Sequence, residues 1–129
     1  MGRFNPNTSS IFQKSLAVCD ISTAVSSYFA TESSLVRLTK FAPLRYEIAL
    51  SLVNDANLIP KSVTEVLTSD SKEQRVYQLS LINIRLKNLL SYCNGLEKDG
   101  VKEKEYVNLL RAEIKSFKRS FKAWRKSLR

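Results

Sequence analysis

Residues 111–129 read RAEIKSFKRSFKAWRKSLR. Eight of these nineteen residues are Lys or Arg and one is acidic, yet Ile114, Phe117, Phe121, Trp124 and Leu128 recur at steps of three and four. A disordered basic tail has no reason to hold that register. With Tyr106 and Leu110 in front, the apolar positions run for about six turns, which predicts one amphipathic helix from Lys102 to Leu128. Beside the apolar seam runs a second stripe: Arg111, Lys115, Lys118, Lys122, Arg125 and Arg129, each one residue past a seam position and so about 100° around the helix. Arg119 and Lys126 lie one residue further round and thicken it. Like charges at i, i+4 repel by a few tenths of a kcal/mol per pair. Two readings of the stripe stand: a solvated face near a chain end, or a rail that tracks phosphates and makes binding salt-dependent and largely insensitive to sequence.

Working outward, segment three starts at SDSKEQ (residues 69–74), where Ser69 or Asp70 is placed to cap and Glu73 to close a capping box on Asp70. Val76, Leu79, Ile82, Leu86, Leu89 and Cys93 then step by three or four. Asn94 and Gly95 are suited to a left-handed stop. Arg75 and Arg85 add cations that either widen the basic face or pair internally, for example with Glu47 or Glu113; Lys72 and Lys87 lie on the same segment. Segment two opens at KFAPLRYE, with Pro43 in a first turn, and carries Leu44, Ile48, Leu52, Ala56, Ile59, Val63 and Val66. Pro60 interrupts that stripe and predicts a kink or short break near Leu58 to Pro60. Segment one spans Ser9 to Arg37 on Phe12, Leu16, Cys19, Val25, Tyr28 and Phe29, with slippage around Ser22 and a break expected at TESS (31–34). Residues 1–8 are expected to be flexible and residues 9–129 to form one domain.

The bulk numbers agree with four long helices. The chain has 129 residues, with three Gly and three Pro, too few turn residues for an all-β fold. The expected fold is an all-α, antiparallel up-and-down four-helix bundle. Residues 1–71 carry six Lys/Arg against six Asp/Glu, and residues 72–129 carry fifteen against six, so the entire excess of +9 lies in the second half. That asymmetry points to a polyanionic partner. No histidine is present, which removes the commonest general base and metal ligand at neutral pH. Glycine occurs only at 2, 95 and 100, so no Gly-rich phosphate loop exists. No catalysis, metal or cofactor is expected. Cys19 and Cys93 read as buried thiols on apolar stripes, with a disulfide as the alternative. No apolar run reaches the length of a membrane span and MGRFNPNTSS lacks a secretory core, so a cytoplasmic location is expected.

Three stretches carry a resemblance: KFAPLRYEIALSLVNDANLIPKSV, KEQRVYQLSLINIRLKNLLSYCNGL and EYVNLLRAEIKSFKRSFKAWRKS. With Phe41, Pro43, Arg45 and Tyr46 opening the second helix, Ile59 and Pro60 within it, and Trp124, Arg125 and Lys126 closing the fourth, the chain resembles the accessory variability determinant (Avd) proteins of diversity-generating retroelements. It is also similar to the four-helix-bundle proteins of ribosomal intervening sequences. KSVTEVLTSD after Ile-Pro leans toward the Avd side. The likeness covers roughly residues 35–128. It implies a non-enzymatic bundle assembled as a five-fold barrel that binds template RNA or other nucleic acid and a reverse transcriptase, in support of mutagenic reverse transcription. The cations it would assign to those partners are Arg75, Arg85, Arg111, Lys115, Lys118, Arg119, Lys122, Arg125, Lys126 and Arg129. Rival expectations are an RNA-binding bundle with no polymerase, a helical chorismate mutase using Lys72, Glu73 and Lys118, and an immunity-like bundle for an acidic protein.

Overall fold

The computed structural model describes residues 9–37 and 43–128, with side chains described for 9–29 and 44–128. The expected flexible residues 1–8, Phe41 and Arg129 lie outside them. Four helices follow in order: α1 (Ser10–Arg37), α2 (Pro43–Thr68), α3 (Lys72–Lys98) and α4 (Lys104–Ser127). No strand occurs among the described residues. Each helix packs beside its chain neighbours and α1 closes the ring against α4, while the diagonal pairs stay apart. The chain is therefore an all-helical, up-and-down four-helix bundle. α2 lies close against α1 and α3; α4, the basic helix, sits less closely against its two neighbours.

The core repeats heptad-like positions on all four helices. Leu52, Ile59 and Val63 of α2, Ile82, Leu86 and Leu89 of α3, and Leu110, Ile114 and Phe117 of α4 are all buried. In α1 Cys19, Val25 and Phe29 are buried as expected, but the seam itself is Ile11, Ser15, Val18, Ser22, Val25 and Phe29, which step four, three, four, three, four and are all buried. Three of the expected positions, Phe12, Leu16 and Tyr28, are only half-buried or exposed. The slippage around Ser22 arises because serine occupies core positions there. Ser15 satisfies its hydroxyl by donating to the Phe12 carbonyl at 2.6 Å, the backbone escape open to helical serines. Small side chains at these places let α1 approach α2.

TESS does not end α1, whose backbone stays helical to Arg37. Nor does Pro60 break α2, which runs as one helix through it. Proline lacks the N–H that would bond the carbonyl four residues back, here that of Ala56. The Cys19 thiol of α1 donates to that carbonyl at 2.9 Å. The acceptor that Pro60 leaves open is thus satisfied across the helix pair, which the buried interior requires.

The α3 termini also differ from expectation. Ser71, not Ser69 or Asp70, caps the start, its Oγ accepting from the Gln74 N–H at 3.1 Å. Ser69 Oγ in turn accepts from the Ser71 N–H at 3.1 Å. At the other end, Asn94 and Gly95 are helical and the stop comes at Asp99 and Gly100. Gly95 instead lets α2 approach, since a Cβ there would lie 3.1 Å from Ile48 Cδ1. Gly100, at φ +82°, takes the left-handed position. The Gly100 N–H donates to Glu97 and the Val101 N–H to Leu96, the paired bonds of a Schellman stop with Leu96 and Val101 both buried behind it. Arg45 of α2 locks this corner, its Nε donating to Asp99 Oδ2 at 2.7 Å and a terminal nitrogen to the Asp99 carbonyl at 3.1 Å.

Candidate nucleic-acid interface

The antiparallel arrangement places the start of α3 beside the end of α4. Along α4 the apolar seam buries Val107, Leu110, Ile114, Phe117 and Phe121, with Trp124 partly buried against the core. Tyr106 and Leu128, expected in the seam, are each 41% exposed. Val107 takes the place of Tyr106, whose ring packs edge-on against Tyr28 with centroids 5.0 Å apart.

The cationic stripe borders α3. At its upper end Arg111 is engaged within the chain: one terminal nitrogen donates to Glu97 Oε1 at 3.0 Å and Asn94 Oδ1 at 2.9 Å, the other to Asn108 Oδ1 at 2.9 Å. At its lower end Lys122, Arg125 and Lys126 line an open cleft of about 770 Å³ shared with Lys72 and Arg75 of α3. Val76, Leu79 and Leu128 complete the lining, and among the described residues no carboxylate takes part. Between these ends Lys115 and Arg119 are exposed and Lys118 is half-buried. From Lys115 to Lys126 is eleven residues, about 16 Å at the helical rise, or roughly five nucleotides at 3.4 Å per strand phosphate.

Cations at the end of α4 complement the helix dipole, so Arg125 and Lys126 have a local reason to be there. Lys72 has none. It stands in the first turn of α3, where the dipole is positive, and that placement costs about 0.3–1 kcal/mol at an exposed site. Glu73 in the same turn offsets part of it. One edge of Arg75 is held by the Ser69 carbonyl at 2.9 Å.

Arg85 sits elsewhere, at the α2–α3 contact. A terminal nitrogen donates to Asp55 Oδ1 at 2.9 Å, and the Tyr92 hydroxyl donates to Asp55 Oδ2 at 2.6 Å. The internal partners are thus Asp55 for Arg85 and a backbone carbonyl for Arg75, rather than Glu47 or Glu113. Proximity decides this: Asp55 and Arg85 meet where α2 and α3 touch. Burial, then Asp55, raises the Tyr92 hydroxyl to a pKa of about 12. The cations brought together at one place are therefore Arg75, Lys122, Arg125 and Lys126, continued along α4 by Lys115, Lys118 and Arg119; Arg85 and Arg111 are set into ion pairs. The part of the site that periodicity missed is the exposed apolar lining, because Val76 and Leu128 read as core; Leu79 read as core and is buried. The signal for it was the antiparallel pairing of SKEQRV with the final WRKSL.

Among the described residues no group of His, Cys, Asp and Glu is arranged to hold a metal ion, and no helix is long and apolar enough to cross a membrane. Cys19 and Cys93 are free thiols. Burial pushes each to a pKa of about 11. Both are expected to resist a thiol reagent such as 5,5′-dithiobis(2-nitrobenzoate) at neutral pH until the chain is denatured, as protonated, buried thiols do; prompt native-state labelling would contradict their placement. Above their ordinary value of 9.0 the unfolded thiols ionise while the folded ones keep their protons, so stability is expected to fall as pH rises from 9 toward 11.

Comparison with protein-family models, with curated proteins and with solved structures finds no match to this chain.

Proposed function

We propose that this chain is a non-enzymatic, nucleic-acid-binding accessory protein that also engages a reverse transcriptase, in the manner of the accessory variability determinant proteins it resembles. The observation that carries the nucleic-acid half is the five-cation cleft at the α3–α4 end, lined among the described residues by no carboxylate and continued up α4 by Lys115, Lys118 and Arg119. Such a surface releases counterions on meeting phosphates and needs no base-specific contact. The polymerase partner and the five-fold assembly rest on the resemblance. The inward-lying cations Arg45, Arg85 and Arg111 are each paired with a carboxylate of the chain, whereas a mutase-like site needs inward cations for its anionic substrate; this favours the scaffold reading over the enzyme.

A mass determination in solution tests the assembly, alone, with structured RNA and with a reverse transcriptase encoded beside the protein. The expected result is a particle near 74 kDa, five chains of 14.7 kDa each, that gains mass with both partners. A monomer that shifts RNA and ignores the polymerase would leave the simpler reading of an RNA-binding bundle of the intervening-sequence type. A particle that binds neither would overturn the proposal.

A further inference from the structure

The cleft between the start of α3 and the end of α4 is more than a positive surface. Its lining joins cations to Val76, Leu79 and Leu128. Leu79 is buried, and Val76 and Leu128 are 50% and 41% exposed beside it. A site for phosphate alone gains nothing from exposed aliphatic side chains, whose burial is favourable only when an apolar surface covers them. The volume of about 770 Å³ falls within the roughly 300–1,000 Å³ range of small-molecule pockets. The occupant must therefore carry negative charge at the rim and a flat or apolar body at the floor.

We propose, building on the nucleic-acid reading above, that this cleft receives one unpaired nucleotide of a single-stranded nucleic acid. Its base lies on Val76, Leu79 and Leu128. Its phosphates meet Lys72 and Arg75 on one wall and Lys122, Arg125 and Lys126 on the other. The Ser69 carbonyl holds one edge of Arg75, so that guanidinium is oriented before the strand arrives. A duplex keeps its bases stacked and paired and can offer only phosphates to the same cations. The protein then prefers single strands, or loops and ends of structured RNA, through an apolar contact that tolerates any base, since every base presents a flat face to cover Val76, Leu79 and Leu128.

The test uses the full chain and three fluorescent probes matched in phosphate number: an oligouridylate, an abasic ribose-phosphate strand and an RNA duplex. Wild-type protein is expected to bind the oligouridylate about fivefold or more tighter than the abasic strand, which is what roughly 40 Å² of apolar surface covered by the base would give. Val76→Ser with Leu128→Ser should erase that factor and leave abasic and duplex affinity unchanged; both positions are exposed enough to spare the fold, which circular dichroism checks. Equal affinity for the oligouridylate and the abasic strand, with binding otherwise strong, overturns this inference and leaves the phosphate rail standing. Absence of binding to all three probes at low salt overturns the rail and the cleft together. Tighter binding of a Glu/Leu peptide of equal charge than of the oligouridylate overturns the inference in favour of an acidic protein segment.

Discussion

Replacing Lys115, Lys118, Lys122 and Arg125 together by Gln is expected to weaken RNA binding by about a hundredfold or more at low salt, each lost phosphate contact taking about one unit off the salt slope. Lys115, Lys122 and Arg125 are exposed and Lys118 is half-buried. Gln keeps most of the aliphatic stem and has good helix propensity, so helicity should survive and thermal stability should rise slightly as like-charge repulsion at i, i+4 is relieved. Arg111→Gln makes the informative contrast. Arg111 already donates to Glu97, Asn94 and Asn108, so its loss should loosen the α3–α4 contact with a much smaller effect on affinity. Electrophoretic shifts of a structured RNA with the variants side by side check both statements. Full affinity in the fourfold variant would remove the rail; an Arg111 effect as large as the fourfold one would move the site to the other end of α4.

Phe117→Ala is expected to cost about 3–5 kcal/mol, the range for a large aromatic truncated in a closed core, out of a total stability of about 5–15 kcal/mol for a domain of this kind. Phe117 is buried and stacks on Phe121 with ring centroids 6.4 Å apart. It lies on the helix that packs least closely against the rest. A cavity there removes much of what holds α4, and with it the surface that presents Lys115 and Lys118 on the turns either side. Urea titration followed by circular dichroism should show the midpoint falling far more than for Leu109→Ala. Leu109 is 60% exposed on the same helix and should change stability by only about half a kcal/mol, as surface sites do. A Phe117→Ala loss below about 1 kcal/mol would mean that α4 is held by something other than this seam.

Four helices were legible from the sequence because apolar residues at steps of three and four can satisfy one face only in a helix. Phe117 and Phe121, Ile82 and Leu86, and Ile59 and Val63 all stand where periodicity placed them. The failures came where a residue serves packing by being small or polar. Ser15, Ser22 and Ser26 occupy the α1 core, and no hydropathy count marks a serine as buried. Gly95 reads as a stop signal by its freedom from a Cβ, yet the same missing Cβ admits Ile48 while Leu96 carries the seam onward. Gly100, five residues later, takes the left-handed angle. Pro60 predicts a kink or brief break in α2, and no break occurs; the donor it withholds from Ala56 is supplied by a thiol 41 positions earlier, which no local rule anticipates.

The cationic stripe was legible as a stripe, but not its division of labour. Which cations are spent inside the chain depends on where Asp55 and Glu97 fall across helix contacts, and that is tertiary information. The cleft likewise required knowing that the two ends of α3 and α4 meet. Once they do, Val76 and Leu128 cease to be core and become lining.

The salt dependence of wild-type affinity for single-stranded RNA shows whether the basic face of α3 and α4 holds phosphates. With the cleft and the α4 cations above it together meeting about five phosphates, a plot of log affinity against log salt should fall with a slope of about −3.5, near −0.7 per phosphate for a single strand. A slope near zero, or binding that persists unchanged into high salt, would contradict the account.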